Sequence, residues 1–208
     1  MTDIPLNAPP AGPRELSHLT VFCGSNLGVD PLFADGARAL GELMVERGIG
    51  LVYGGGRVGL MGVIADTVLA GGGHVTGVIP QHLWDKEVGH NDLSELLIVG
   101  SMHERKLAMA DRADGFIAMP GGVGTFEELF EVWTWTQLGI HEKPVGLLDV
   151  AGFYGPLLGF LDGATEAGFL GSAHRTDLKA FADPAELLDA LALWRPTNAP
   201  KWLDDAQR

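Results

Sequence analysis

The segment 114–131, DGFIAMPGGVGTFEELFE, joins a short apolar run to a glycine-rich turn and then to a stretch that favours a helix. The run at 114–120 is almost continuously apolar, as is typical of a strand buried on both faces of a parallel sheet. The glycines that follow allow backbone N–H groups to converge, and the helix after them contributes the positive end of its dipole. The segment therefore predicts an anion-binding turn at the carboxyl end of a buried strand.

The same unit of strand, turn and helix recurs along the chain. Strands are predicted at 18–25, 49–56, 74–80, 95–100, 114–120 and 143–150, with a weaker one near 176–181. Helices are predicted at 31–48, 60–72, 101–113, from the GGVG turn to about 139, at 153–169 and at 184–194. This alternation predicts an α/β, doubly wound, Rossmann-like fold, with helices on both faces of one parallel sheet.

The predicted catalytic domain is a single one, over residues 16–195. A flexible N-terminal segment at 1–15 and a C-terminal tail at 196–208 flank it, and a polar loop at 81–94 is expected to cover a site. A length of 208 residues, with 46% apolar and 20% charged residues, fits one globular domain.

The net charge, the single cysteine and the lack of long apolar runs limit the partners, the disulfides and the compartment that the sequence predicts. The net charge of −13 disfavours binding to nucleic acid or to an anionic membrane. The single cysteine, Cys23, allows no internal disulfide and is interpreted as a small buried apolar residue. There is no signal-like N-terminus and no apolar run of about 18 residues, so we expect a cytoplasmic protein.

Two glycine-rich turns are candidate nucleotide sites. The turn at 120–125, PGGVGT, lacks the Gly-Lys-Ser/Thr of a Walker motif, but it can cradle a phosphate with backbone amides alone. The turn at 54–59, GGGRVG, matches G-x-G-x-x-G, but the next strand ends in GVIPQH without the acid that holds a ribose hydroxyl. It is therefore interpreted as a tight turn beside a nucleotide pocket and not as an NAD site.

Glu128 has two interpretations. With Thr125 it has the spacing of a capping box, in which an acid in the first helical turn satisfies backbone donors. However, Glu127 places a second carboxylate beside the anion-binding turn, and this crowding weakens anion binding unless chemistry uses the charge. The sequence leaves both readings open.

The segment 101–106, SMHERK, opens another helix, with Ser101 and Glu104 at capping-box spacing. Its Arg105 and Lys106 are either on a solvated helix face or directed at an anionic ligand. No histidine spacing indicates a metal site, and Ser25 lacks an evident histidine partner for acyl transfer.

Together, SMHERK, PGGVGTFEE and WTQLGIHEKPVGLL resemble the Lonely Guy family, phosphoribohydrolases that release a cytokinin base from its riboside 5′-monophosphate. The resemblance covers the chain from about Cys23 to the helix after Val150, and it implies Arg105 and Glu128 as the catalytic pair, without metal or cofactor. The family's substrate contacts fall on Glu87, Arg105, Lys106, Gly122, Val123, Gly124, Thr125, Phe126, Glu127, Glu128 and Thr134. Val123 departs from the family, which often has tyrosine there.

The implied reaction is hydrolysis of the N-glycosidic bond of an adenosine 5′-monophosphate, N6-modified or not, to free base and ribose 5-phosphate. Glu128 would face the oxocarbenium ion, and Arg105 would either hold Glu128 or bind the sugar-phosphate. A nucleotide or cofactor carrier on the same fold is the alternative. Phe130, Trp133 and Trp135 surround one helix, which, with the resemblance, predicts at least a homodimer.

Overall fold

The computed structural model describes residues 12–85, 89–90 and 92–196, and within them one parallel sheet organises the chain. Its strands are β1 His18–Phe22, β2 Gly50–Tyr53, β3 Val75–Pro80, β4 Glu95–Val99, β5 Gly115–Ala118, β6 Val145–Leu148 and β7 Lys179–Phe181. They pair in the order β4-β3-β2-β1-β5-β6-β7, and each pairing is parallel. The predicted doubly wound fold is confirmed.

Helices follow the strands, as a parallel sheet requires. They are α1 Leu32–Glu46, α2 Gly59–Ala70, α3 Gln81–Trp84, α4 Met102–Asp111, α5 Val123–Gln137, α6 Gly155–Glu166, α7 Ser172–Asp177 and α8 Pro184–Leu193. The Ser101 hydroxyl accepts from the Glu104 amide at 3.1 Å, and the Glu104 carboxylate accepts from the Gly100 amide at 2.8 Å. The predicted cap of α4 is therefore confirmed.

The strand order reverses at β1, which lies between β2 and β5. Leu19 of β1 is in register with Leu51 of β2 on one side and with Gly115 of β5 on the other. The chain therefore winds outward from β1 in both directions. In such sheets the crevice at the carboxyl ends of the two central strands is the usual ligand site.

The sheet carries an apolar layer on each face. One cluster of buried residues joins the sheet to α1, α2 and α8, and includes Leu40, Ile64 and Leu187. The other joins it to α4, α5 and α6, and includes Met109 and Leu129. Strands such as β2 are buried throughout because both layers cover them. These two layers hold the strand ends, and hence the turns after them, in fixed positions.

Several details differ from the sequence-based expectations. The weaker strand predicted near 176–181 is confined to Lys179–Phe181, because the residues before it form the short helix α7. Part of the predicted loop at 81–94 is the short helix α3, which begins directly after Pro80. Arg14, predicted to lie in a flexible segment, donates its amide to the Ala192 carbonyl at 2.8 Å and its guanidinium lies over the Trp194 ring. Of the three aromatic residues predicted to surround α5, Trp133 is buried in the core because its side of the helix faces the sheet. Within the described residues, no helix combines the length and apolar character needed to cross a bilayer.

Candidate active site

Three glycine-rich turns meet at the carboxyl edge of the sheet. The Gly24 amide, after β1, donates to the Pro120 carbonyl after β5 at 3.0 Å. The Leu60 amide, after β2, donates to the Gly24 carbonyl at 3.0 Å. Gly59 has a φ of +61°, and a Cβ there would lie 2.2 Å from the carbonyl carbon of Ser25. The turns after β2, β1 and β5 are thus locked together around the point where the strand order reverses.

A cleft of about 180 Å³ opens at this junction. One wall consists of the β1 and β5 turns, and the other is aromatic and aliphatic. Its lining residues are Gly24, Ser25, Asn26, Leu27, Gly28, Phe33, Leu60, Pro120, Gly121, Gly122 and Phe153. Polar backbone on one side and apolar side chains on the other suit a ligand with an anionic end and a flat or apolar end.

The anion-binding turn leads directly into α5. Gly122 is the residue that precedes the first helical turn, and its backbone is extended. A Cβ at Gly122 or at Gly124 would meet nothing within 4 Å, so there is open space beside the backbone of this turn. The unpaired N–H groups of the first turn and the helix dipole make this turn suited to bind an anion.

The capping-box interpretation of Thr125 and Glu128 is wrong. Because α5 begins at Val123, Thr125 already lies inside the first turn, and the helix has no side-chain cap. The Thr125 side chain packs instead against Gly121, where a Cβ would lie 2.2 Å from the hydroxyl oxygen. Glu128 is therefore one turn too far along the helix to cap it.

Glu128 stands in an environment that favours its neutral form. Burial raises the pKa of its carboxyl group to about 7, and the positive charge of Arg105 opposes that rise. Glu127 and Glu131 push the pKa of Glu128 up further, whereas Lys106 pulls it down. A carboxyl group with a pKa close to neutrality can exchange a proton with substrate or water at physiological pH.

Arg105 is buried and is anchored by two main-chain carbonyls. Its Nε donates to the carbonyl of Val78 at 3.0 Å, and its Nη2 donates to the carbonyl of Gly54 at 2.8 Å. A Cβ at Gly54 would lie 2.0 Å from Nη2, so only glycine leaves room for the guanidinium. Among the ion pairs between described side chains, none joins Arg105 to Glu128. The guanidinium acts on Glu128 through space and is oriented by β3 and by the turn after β2.

Lys106 is buried between two acids of α5. Its Nζ lies 2.6 Å from Oε1 of Glu127 and 2.8 Å from Oε2 of Glu131. Burial alone would lower the pKa of the Lys106 ammonium, but the interactions with the carboxylates of Glu127 and Glu131 outweigh it and raise the pKa. Lys106 is therefore a permanently charged link between α4 and α5.

Comparison with known proteins adds to this geometry. Residues 61–191 match a family model described as "Possible lysine decarboxylase". The chain is 52% identical over 179 residues to the rice (Oryza sativa subsp. japonica) protein named probable cytokinin riboside 5′-monophosphate phosphoribohydrolase LOGL1, covering 86% of this chain and 80% of that one. It is 49% identical over 180 residues to the Arabidopsis thaliana protein named cytokinin riboside 5′-monophosphate phosphoribohydrolase LOG2, covering 86% and 84%. The chain belongs to the Lonely Guy family.

Solved structures share the fold of this Lonely Guy protein at lower identity. The Moco carrier protein of Chlamydomonas reinhardtii superimposes with a TM-score of 0.61 at 20% identity, over 82% of this chain and 92% of that one. The molybdenum cofactor binding protein of Rippkaea orientalis gives a TM-score of 0.59 at 20% identity, with the same coverage. At this identity the likeness concerns the fold alone.

The remaining residues that the Lonely Guy resemblance predicted as substrate contacts lie at different distances from the anion-binding turn. Phe126 stacks its ring 6.3 Å from that of Phe153, which lines the cleft. Val123 is highly exposed beside the turn. Thr134 is partly buried, and it lies about 10 Å along α5 from Glu127, at 1.5 Å per residue. Glu87 lies outside the described residues.

Several residues at the site were missed. The carbonyls of Gly54 and Val78 hold Arg105, and sequence carries no signal for a backbone acceptor. Ser25 and Asn26 line the cleft, and the glycine after β1 that precedes them was the available signal. The structure also places the described part of the polar loop against the site, because the His90 amide donates to the Gly55 carbonyl at 3.2 Å.

Two side chains with reactive groups are structural here. The Cys23 thiol is buried, as predicted, and burial raises its pKa far above the usual range, so it remains a neutral thiol. His90 is buried with Nε2 2.8 Å from the Asp66 carboxylate, and its Nδ1 accepts from the Asp92 amide at 3.3 Å. In the part of the chain that the structure describes, no group of three or more histidine, cysteine or acidic side chains is placed to hold a metal ion.

Proposed function

We propose that this protein hydrolyses the N-glycosidic bond of adenosine 5′-monophosphates, N6-modified or not, to free base and ribose 5-phosphate. The observation that carries the proposal is Glu128, a partly buried carboxyl group with a pKa raised to about 7, placed one helical turn beyond an open anion-binding turn. The names of the Lonely Guy relatives specify the same reaction class. AMP and N6-modified AMP are both candidate substrates.

The phosphate would bind at the first turn of α5. The N–H groups from Gly122 to Thr125 are free of intrahelical partners, and the helix dipole favours an anion there. Glu128 follows Thr125 by three residues, which is about 4.5 Å along the axis and the same face of the helix. Because side chains lean toward the N-terminus of a helix, the Glu128 carboxyl group would reach back toward the sugar of a nucleotide whose phosphate occupies the turn.

The chemistry follows from this placement. The bond between the anomeric carbon and the base nitrogen breaks, its electron pair leaves with the base, and positive charge develops on the ribose. An ionised Glu128 would stabilise that charge and accept a proton from the attacking water, whose oxygen bonds to the anomeric carbon. The proton taken from water is available for return to the departing base.

Arg105 would bind the sugar-phosphate part of the substrate. Two of its donors are fixed by the carbonyls of Val78 and Gly54, while among the residues that the structure describes Nη1 donates only to the Met102 sulfur, at 3.8 Å. A guanidinium anchored in this way presents its remaining N–H groups in a defined direction, which suits a sugar-phosphate oxygen. Its positive charge also favours the ionised form of Glu128.

Lys106 argues against the reaction in the description of the family model. Decarboxylation of an amino acid commonly uses pyridoxal phosphate, held by a lysine amine as a Schiff base. Lys106 is the lysine of α4 beside the glycine turns, and its ion pairs with Glu127 and Glu131 keep it protonated. A protonated, doubly paired ammonium is not a nucleophile.

Several broader assignments belong to the same proposal. The catalytic domain spans about residues 16–195, the protein acts in the cytoplasm, and it works as at least a homodimer. The substrate is a small nucleotide and neither nucleic acid nor membrane, in keeping with a net charge of −13. Glu87, Lys106, Val123, Phe126, Glu127 and Thr134 remain candidate substrate contacts.

Chromatography of products tests the proposal directly. Purified protein is incubated separately with AMP and with isopentenyl-AMP, and the free base and ribose 5-phosphate are quantified against time. We expect both products in equal amounts from at least one substrate, and the ratio of kcat/KM gives the base preference. If both nucleotides bind but remain intact, the protein is a carrier on this fold and not a hydrolase.

A further inference from the structure

An ion cluster joins α4 to α5 immediately beside the proposed catalytic carboxyl group. Lys106 is only 8% exposed, whereas Glu127 is 51% and Glu131 25% exposed. Both acids lie within 2.8 Å of the same ammonium. Glu131 was not among the residues that the sequence predicted for the site. A lysine this buried and held by two acids has a specific structural task.

The spacing of the acids on α5 determines what this cluster can do. Glu127 and Glu131 are four residues apart, so they form one ridge that faces α4. Glu128 is adjacent to the first acid and three residues before the second, on the flank of the same ridge. Three carboxyl groups therefore face two cations, Arg105 and Lys106. Because the cluster contains one more acid than base, the ionisation of Glu128 depends on the charges of the other four side chains.

We propose that Lys106 and Glu131 are a positioning pair, which fixes the acidic ridge of α5 against α4 and balances the charge around Glu128. The inference rests on the proposed function, because it takes Glu128 as the catalytic carboxylate. Lys106 acts through the acids of α5, since its ammonium donates to Oε1 of Glu127 at 2.6 Å and forms an ion pair with Oε2 of Glu131 at 2.8 Å.

Each member of the cluster acts on Glu128 with a known sign. Arg105 and Lys106 lower the pKa of Glu128, and Glu127 and Glu131 raise it, in addition to the larger effect of burial. Cys23 at the end of β1 also lies nearby, but its thiol stays neutral because burial raises its pKa. Removing the charge of Glu131 must therefore shift the ionisation of Glu128 to lower pH. Removing the charge of Lys106 must shift it to higher pH.

This opposition of signs separates a positioning role from a purely structural one. A residue needed only for folding lowers activity at every pH without moving the titration of Glu128. The two members of a charge-balancing pair move that titration in opposite directions, although they contact each other. At an effective dielectric constant of about 20, a charge removed several ångströms away shifts a pKa by roughly half a unit or more.

The experiment compares Glu131→Gln, Lys106→Met and the parent by two measurements. The first is the carbon-13 NMR titration of the glutamate carboxyl groups, with the Glu128 signal identified by its loss in Glu128→Gln. The second is the pH dependence of kcat/KM for the nucleotide that the parent hydrolyses, which reports ionisations of the free enzyme. Glu42→Gln, an exposed acid on α1 with the same charge change, serves as the matched control.

We expect the Glu128 titration to move down by about half a pH unit or more in Glu131→Gln, up by a similar amount in Lys106→Met, and not at all in Glu42→Gln. The rising limb of kcat/KM moves with it. Unchanged midpoints, or midpoints that move in the same direction in both variants, overturn the proposal. If Lys106→Met does not fold, Glu131→Gln decides alone. If the parent hydrolyses no nucleotide, the proposed function fails, but the NMR titration still decides whether this pair sets the charge of Glu128.

Discussion

Glu128 combines three influences that sequence cannot weigh against each other. Burial favours its neutral form, the acids Glu127 and Glu131 add to that effect, and the cations Arg105 and Lys106 oppose it. The resulting pKa of about 7 is higher than a helix-surface glutamate would have and lower than an isolated buried acid would reach. A group balanced in this way suits proton transfer near neutral pH.

Replacing Glu128 by glutamine tests its chemical role. The change keeps the shape of the side chain but removes the negative charge and the proton acceptor. We expect turnover of AMP or isopentenyl-AMP to fall by about 10²-fold or more, because losses of this kind of electrostatic and acid-base catalysis have that size. Nucleotide binding should persist or tighten, because one repulsion with the phosphate is gone.

Turnover and a melting curve should be measured on the same preparation. The exposed control Glu42→Gln removes one charge on the far side of the sheet and should leave turnover unchanged. A Glu128→Gln variant that melts like the parent and hydrolyses within about threefold of its rate would end the catalytic assignment.

The pKa of Glu128 also predicts how stability depends on pH. Its folded-state pKa of about 7 lies above the ordinary value of 4.5, so the folded protein binds this proton more tightly than the unfolded chain does. The stabilisation from the neutral carboxyl group is therefore complete below pH 4.5 and is lost as pH rises through 7, with an upper limit of about 3 kcal/mol. Relative to the parent, Glu128→Gln should gain stability between pH 5 and about 8. Urea unfolding of both proteins at pH 5 and at pH 8 measures their free energies of unfolding. If the difference in free energy between Glu128→Gln and the parent is the same at both pH values, the prediction is contradicted.

At the scale of elements, the sequence was sufficient for the strands and most helices. Apolar runs such as LTVF at 19–22, and the glycines that follow several of them, are visible without tertiary contacts, and the predicted strands are present. Element ends were less accurate. The start of α5 was placed too late because Thr125 is a good capping residue, whereas the structure uses the extended backbone of Gly122 and opens the helix at Val123.

The site was only partly predictable for physical reasons. Arg105 and Glu128 could be named from the resemblance to the Lonely Guy family, but the carbonyls that hold Arg105 come from β3 and from the turn after β2, which are distant in sequence. Whether Lys106 meets a phosphate or an acid depends on how α4 packs on α5, which no local pattern encodes. The Lys106–Glu131 contact therefore appears only in three dimensions.

The glycines of the strand-end turns differ in what they do, and alanine substitutions should separate them. Gly59 has a positive φ and lies against the Ser25 backbone, so Gly59→Ala should destabilise the protein by about 3 kcal/mol or more. Gly122 has an extended backbone and open space around its Cβ position, so Gly122→Ala should cost about 1 kcal/mol or less. The new methyl group would nevertheless crowd the anion-binding turn.

Melting curves and nucleotide titrations on both variants distinguish these roles. We expect Gly122→Ala to melt near the parent and to bind AMP about tenfold or more weakly. Normal AMP affinity in a folded Gly122→Ala protein would show that the phosphate does not bind at the start of α5. A Gly59→Ala protein as stable as the parent would show that the three turns are not locked together.

At the scale of the whole molecule, strand order determines where chemistry is possible. Alternating strands and helices predict a parallel sheet, but they do not state that β1 is central between β2 and β5. That order brings the turns after β2, β1 and β5 side by side, although they are far apart in sequence. Helices α4 and α5 then bring Arg105 and Glu128 to the same edge from one face of the sheet.

The outer surface of α4 and α5 is the candidate interface of the predicted homodimer. Although Trp133 is buried, an apolar groove remains between these helices. It is lined by Leu107, Ala110, Asp111, Trp135, Ile140, His141 and Lys143. Leu107 is 55% and Ile140 63% exposed, which is costly for large aliphatic side chains gathered at one place. A second copy covering this groove would stabilise the helices that carry Arg105 and Glu128.

We therefore predict a mass of at least twice 22.1 kDa by light scattering at micromolar concentration. Ile140→Glu places a charge in the groove and should shift the protein toward monomer, since a charge buried without a partner in an apolar interface is strongly unfavourable. Leu193→Glu is the matched control, because Leu193 is 64% exposed on α8, a helix that packs on the other face of the sheet. Turnover should fall with dimer content in Ile140→Glu and stay normal in Leu193→Glu. A parent protein of 22.1 kDa that is fully active contradicts the prediction, because the site on α4 and α5 would then be complete within one chain.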